Sequence, residues 1–161
     1  MTTSNVPVVQ QTSGHWLEAT PGERFNFRVS SEETAGVYMM FEVVADPRNG
    51  VPMHIHNHED EHFLILEGTL RLAIGDELAD VPAGAAVTAR RGMPHAWANM
   101  TDTPVHFLVV FSPGRIEELF RQNIAIKNDL AAAAANSDRF GTVVVGPPIA
   151  EGLYTFASPR S

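Results

Sequence analysis

The chain of 161 residues contains no cysteine, which excludes a disulfide framework, thiolate metal ligands and iron–sulfur chemistry. Any metal it holds is bound through nitrogen and oxygen. Positive charge is also scarce: 11 Lys and Arg stand against 19 Asp and Glu, for a formal net charge of -8. Sequence-independent binding to nucleic acid comes from clustered Lys and Arg, and here only Arg90 and Arg91 adjoin, so no nucleic-acid partner is expected. No apolar run approaches the roughly 20 residues that span a bilayer, and residues 1–14 show no basic start followed by an apolar stretch. The expectation is a cytoplasmic chain with no membrane partner. Its length is enough to bury a core without help from a structural metal.

What the chain does have is histidine in an informative pattern. Val51 to His56 alternates between turn signals at Asn49-Gly50 and Pro52, so it reads as an extended segment in which His54 and His56 point the same way. The polar stretch 57–60 then turns the chain, and Glu61 opens an apolar run, Phe63 to Leu66, that reads as a strand and allows the carboxylate to face the same centre. Further on, Gly92 and Pro94 set a turn immediately before His95, whose strand start can deliver one more imidazole. Burying four such side chains is costly unless something pairs them, and a divalent cation does so. Three neutral imidazoles and one carboxylate leave such an ion a net charge of about +1 and, if octahedral, two open positions.

Short strands dominate the rest. Phe25, Phe27 and Val29 alternate with polar residues, Val37 to Ala45 forms a longer apolar strand, and strands are expected near 51–56, 61–67, 69–74, 78–81, 85–89, 95–99 and 104–111. This frequency predicts an all-β sandwich or barrel. Ser112-Pro113 predicts a capped helix start with Ile116, Leu119 and Phe120 on one face, and a second helix is expected over 126–136. Val143 to Val145 reads as one more short strand. The domain reading is an N-terminal arm (1–22), a β-barrel (23–112) and a C-terminal helical extension and tail (113–161).

The spacing His54-x-His56-(x)4-Glu61-(x)6-Gly68 is similar to the first cupin motif, and Gly84-(x)5-Arg90-x-Gly92-(x)2-His95-(x)3-Asn99 resembles the second. One departure stands out: Arg90 occupies the place of a proline that shapes the loop and holds no metal. The resemblance covers about residues 35–112. It implies a cupin double-stranded β-helix (jelly-roll) barrel with short C-terminal helices, and one divalent transition metal ion (Fe, Mn, Ni, Co, Cu or Zn) on His54, His56, Glu61 and His95. Through Phe111-Ser-Pro-Gly and Gly146-Pro147-Pro148 the chain also resembles small bacterial cupins related to flavonol (quercetin) 2,3-dioxygenases. That resemblance implies O2-dependent cleavage of a flavonol- or enol-type small-molecule substrate, with Glu61 as catalytic base as well as ligand, and it is compatible with a homodimer. No helix-turn-helix segment precedes the barrel, which disfavours a cupin transcription regulator.

Other readings stand beside these. The same site could serve a non-redox isomerase, cyclase or lyase, or a non-catalytic small-molecule-binding cupin. His58 shares the parity of His54 and His56, but the motif register makes it a polar neighbour. His62 should face away, and His106 reads as a satisfied core histidine. Glu59 and Asp60 read as a hydrated turn, with Glu59 the substitute carboxylate if the register slips. Arg90 and Arg91 read as exposed residues that could guide an anion. Parity counted from Glu61 and His95 places Phe63, Ile65 and Trp97 on the ligand-bearing face, with Met39, Phe41 and Val43 added from the earlier strand. For each of these, plain barrel core competes with substrate contact.

Overall fold

In the computed structural model, residues 15–127 and 129–149 are described. The expected arm over residues 1–14 and the tail beyond Ile149 lie outside them. The strands are β1 (Leu17–Thr20), β2 (Glu23–Val29), β3 (Met39–Ala45), β4 (Pro52–His56), β5 (Asp60–Glu67), β6 (Thr69–Ile74), β7 (Glu77–Pro82), β8 (Ala86–Ala89), β9 (His95–Ala98), β10 (Val105–Ser112) and β11 (Thr142–Pro148). Between β10 and β11 come a 3-10 turn (Gly114–Ile116) and the helices α1 (Glu117–Ile126) and α2 (Leu130–Arg139). No helix among the described residues is long and apolar enough to cross a membrane.

The strands form a six-stranded sheet in the order β1-β2-β3-β10-β5-β8 and a five-stranded sheet in the order β11-β4-β9-β6-β7, antiparallel throughout. This is the all-β architecture expected of a double-stranded β-helix. Alternation makes it fold this way: in β3, β5 and β10 the odd-numbered residues, apart from Glu67 at the end of β5, are buried and their neighbours are not. The inner faces supply one core that includes Met39, Phe41, Val43, Phe63, Ile65, Trp97, Phe107 and Phe111, each 5% exposed or less. Each such side chain stabilises the fold by about 1.5–3 kcal/mol relative to exposure. β9 is buried on both faces, because Ala96 and Ala98 join Met53, Ala73 and Ile149 in a smaller cluster. Asn99 closes β9 structurally: its amide donates to the carbonyls of Ala45 and Thr103, while its Oδ1 accepts from Thr101.

Within the segment read as an arm, Leu17–Thr20 forms β1 and pairs with β2. Two local expectations are revised. Ser112 does not cap a helix; it ends β10, its hydroxyl donates to the Val37 carbonyl, and the 3-10 turn precedes α1. The second helix begins at Leu130 rather than near Ile126, because Asp129 accepts from the Ala132 amide as its N-cap. The apolar face of α1 does pack inward as the spacing predicts, with Leu119 buried and Phe120 against Phe25, Phe41 and Phe111.

Candidate metal centre

His54 and His56 lie on the same face of β4, and the β4–β9 register sets His54 opposite His95. Glu61 enters from the other sheet, between Phe111 of β10 and Ala89 of β8. The turn before His95 is held from several sides. The Gly92 amide donates to the His56 carbonyl at 2.8 Å, and the Gly75 amide donates to that of Pro94 at 2.8 Å. Gly92 adopts φ +76°, a left-handed conformation that glycine enters without a Cβ penalty. Arg91 clamps the same turn to the strand carrying Glu61, donating from its backbone amide and its guanidinium to the Asp60 carboxylate.

One ligand atom from each of His54, His56, Glu61 and His95 lies within 4.8 Å of the others, so the four could hold a metal ion. His95 Nε2 is 2.7 Å from Glu61 Oε2, His56 Nε2 is 3.3 Å from the same oxygen, and the Nε2 atoms of His54 and His56 are 3.2 Å apart. With metal–nitrogen bonds of roughly 2.0–2.1 Å, neighbouring ligands sit about 3 Å apart and opposite ones about 4 Å. The 2.7–3.3 Å separations fit neighbouring ligands, and the widest spacing, up to 4.8 Å, is somewhat greater than that of opposite ones.

The hydrogen bonds behind the rings explain why the Nε2 atoms converge. His54 Nδ1 lies 2.8 Å from the Pro52 carbonyl and His95 Nδ1 lies 2.9 Å from that of Met93. A carbonyl only accepts, so both Nδ1 atoms carry hydrogen, and in each neutral ring Nε2 presents a lone pair to the centre. His56 Nδ1 lies 2.8 Å from Thr142 Oγ1. Lone pairs aimed at one another and at a carboxylate repel unless positive charge lies among them, and the donor set therefore fits a bound cation.

With a proton in place of a cation, the rings themselves supply positive charge beside the carboxylate. Burial works against the Glu61 charge, yet hydrogen bonds to His56 and His95 and the charge of both rings hold its carboxyl well below the usual carboxylate range. Burial, reinforced by the positive charge of His95 and His56, pushes His54 down to about 3. Burial also opposes the His95 charge, but its hydrogen bond to Glu61 and that carboxylate's charge outweigh it and raise the ring.

The structure thus brings together all four predicted ligands. His58 is exposed and stands against Gly141, and His62 faces outward to the Thr88 hydroxyl at 2.9 Å. His106 is half-buried on the outer side of its sheet and bonds Glu42 at 3.1 Å. Glu59 departs from the hydrated turn expected of it: it shares the inward parity of Glu61, is buried, and its Oε2 has no hydrogen-bond partner. Burial raises its pKa. Arg91 is not free to guide an anion, since Asp60 engages it. Phe63, Ile65, Trp97, Met39 and Phe41 all fall in the main core, where Trp97 and Phe63 pack on Phe107. Among the described residues, Phe111 is the aromatic side chain that packs on a candidate ligand, with its ring centroid 5.1 Å from that of His56. Its inward parity was the signal available for it. Thr142 lies far away in sequence and had none.

Residues 40–111 match the family model described as the cupin domain. The match covers less than half of the chain. The solved structures with the same fold include KdgF from Halomonas sp. (18% identity, TM-score 0.58, 64% of this chain and 89% of that one). A predicted oxalate decarboxylase from Thermotoga maritima is similar at 20% identity and TM-score 0.56, over 62% of this chain and 91% of that one. An RmlC-like cupin from Shewanella frigidimarina is similar at 15% identity and TM-score 0.56, over 66% and 88%. At these identities the likeness is one of fold. Mannose-1-phosphate guanylyltransferase 2 of Escherichia coli O157:H7 is 23% identical over 94 residues, which is 57% of this chain; this chain spans only 20% of that protein.

Proposed function

We propose that this cupin is a metal-dependent enzyme acting on a small organic molecule, a dioxygenase of flavonol- or enol-type substrates. The observation that supports the reading is the convergence of three Nε2 atoms and one carboxylate oxygen, with the Nδ1 atoms of His54 and His95 tied outward to carbonyls. A divalent ion in that cluster supplies Lewis acidity toward a substrate oxygen and, if redox-active, a means of engaging O2.

The chain's own residues supply the rest. Glu61 stays anionic and is placed both to hold the ion and to accept a proton from an enolisable or phenolic group. Phe111, stacked on Phe41 and packed on His56, makes the six-stranded sheet apolar beside the cluster and unfavourable to bulk water. His54 is the candidate ligand that is not fully buried, so substrate reaches the cluster from its side.

The test is an aerobic assay of metal-loaded protein with flavonols and small 1,3-diketones, following oxygen uptake and product together. Turnover with one O2 consumed per substrate supports a dioxygenase. Turnover without oxygen uptake removes it and assigns the site to non-redox chemistry.

A further inference from the structure

The cupin domain match ends at Phe111, yet one hydrogen bond to the ligand cluster comes from beyond it. Thr142 is 7% exposed and opens β11, which follows α2 and pairs with β4. The register is Thr142 to His56, Val143 to Ile55 and Val144 to His54, so β11 lies alongside the strand carrying two of the four candidate ligands. The Asn57 amide donates to the Gly141 carbonyl at 3.0 Å, which fixes this register at its start. Gly141 has φ +78°, a backbone conformation that favours glycine, and a Cβ there would displace the exposed His58 ring, which stands 2.7 Å away.

Thr142 Oγ1 occupies, behind His56, the place that backbone carbonyls occupy behind His54 and His95. A carbonyl can only accept. A hydroxyl can donate or accept, so the ring orientation and the hydrogen position of His56 depend on a side chain that the C-terminal segment carries in. That segment is anchored by Phe140 against the main core and by the Asn136 amide donating to Asn123 Oδ1 on α1 at 2.9 Å.

We propose that Thr142 is a positioning residue of the metal centre, and that through it metal binding and the docking of β11 on the barrel are thermodynamically linked. The linkage rests on the metal-centre reading above. For His56 to present its Nε2 lone pair, Nδ1 must carry the hydrogen and Thr142 Oγ1 must accept it. Whatever favours that arrangement favours β11 seated on β4, and the reverse holds equally.

The test uses the full chain, Co2+ as the probe, and the variants Thr142→Val and Thr142→Ser. Valine keeps the shape and removes the acceptor, while serine restores it. Removing a partner of this kind lowers metal affinity roughly 10–100-fold, so Thr142→Val should bind Co2+ at least tenfold more weakly and Thr142→Ser should recover most of the loss. In the unaltered chain, Co2+ should slow amide hydrogen exchange across residues 142–145, and Thr142→Val should lose that response. Equal Co2+ affinity in the valine variant and the unaltered chain overturns the proposal. So does unchanged exchange in β11 of the unaltered chain when Co2+ binds, a readout that needs no variant to fold. Failure of the unaltered chain to bind Co2+ at all overturns the metal-centre reading itself.

Discussion

Asp60 and Arg91 join the two halves of the site. The Arg91 guanidinium meets both carboxylate oxygens at 3.1 Å and its backbone amide donates at 2.8 Å, so the residue before Glu61 and the turn before His95 move as one unit. The same contacts hold the Asp60 carboxyl down to about 2. Both side chains are partly exposed, so the pair contributes little to stability. Asp60→Ala should therefore barely shift the thermal midpoint while weakening metal binding roughly tenfold. Calorimetry and metal titration on the same preparation check this, and a large stability loss with unchanged affinity would contradict it.

His95→Ala should strip the metal and leave the barrel folded, because the core rests on the aromatic and aliphatic residues of both sheets. His62→Ala should leave metal content unchanged, since that ring faces outward to Thr88. Metal analysis alongside circular dichroism separates the two outcomes.

Glu23 carries a pH signature. Burial, with a smaller contribution from the charge of Glu61, raises its carboxyl to about 7 despite the hydrogen bond from Thr20. The folded state thus holds this proton more tightly than the unfolded chain does. Its contribution is fully present below the unfolded pKa and is lost as pH rises through the interval up to about 7. The loss is on the order of 3 kcal/mol. Glu23→Gln should flatten this part of the stability profile and make the protein more stable at pH 8, as denaturant melts between pH 4 and 8 would report.

Phe107 lies between Trp97 and Phe63 at the centre of the core. Phe107→Ala should cost about 3–5 kcal/mol, from lost transfer energy and the cavity left behind. Equilibrium unfolding measures this directly.

The clustering of the four candidate ligands was legible in the sequence because each position depends on local rules: period-2 alternation for His54 and His56, and a strand start after a turn for Glu61 and His95. The same parity rule, carried two residues back from Glu61, would have placed Glu59 inside; its acidic neighbours suggested hydration instead. The Asp129 cap was hidden because the alanine run after it has no periodicity to mark where a helix begins. Thr142 was out of reach for a different reason. It lies 86 residues from His56, and nothing in Thr-Val-Val-Val says which strand it will pair with. Pairing register over such distances is a property of the assembled sheets.

The central claim is that His54, His56, Glu61 and His95 hold one divalent transition metal ion. It is tested most directly by elemental analysis of the full chain purified without chelator, alone and after incubation with Fe, Mn, Co, Ni, Cu or Zn. The predicted result is one ion per chain, removable by chelator. A chain that retains none of these metals, with the barrel folded, would contradict the account.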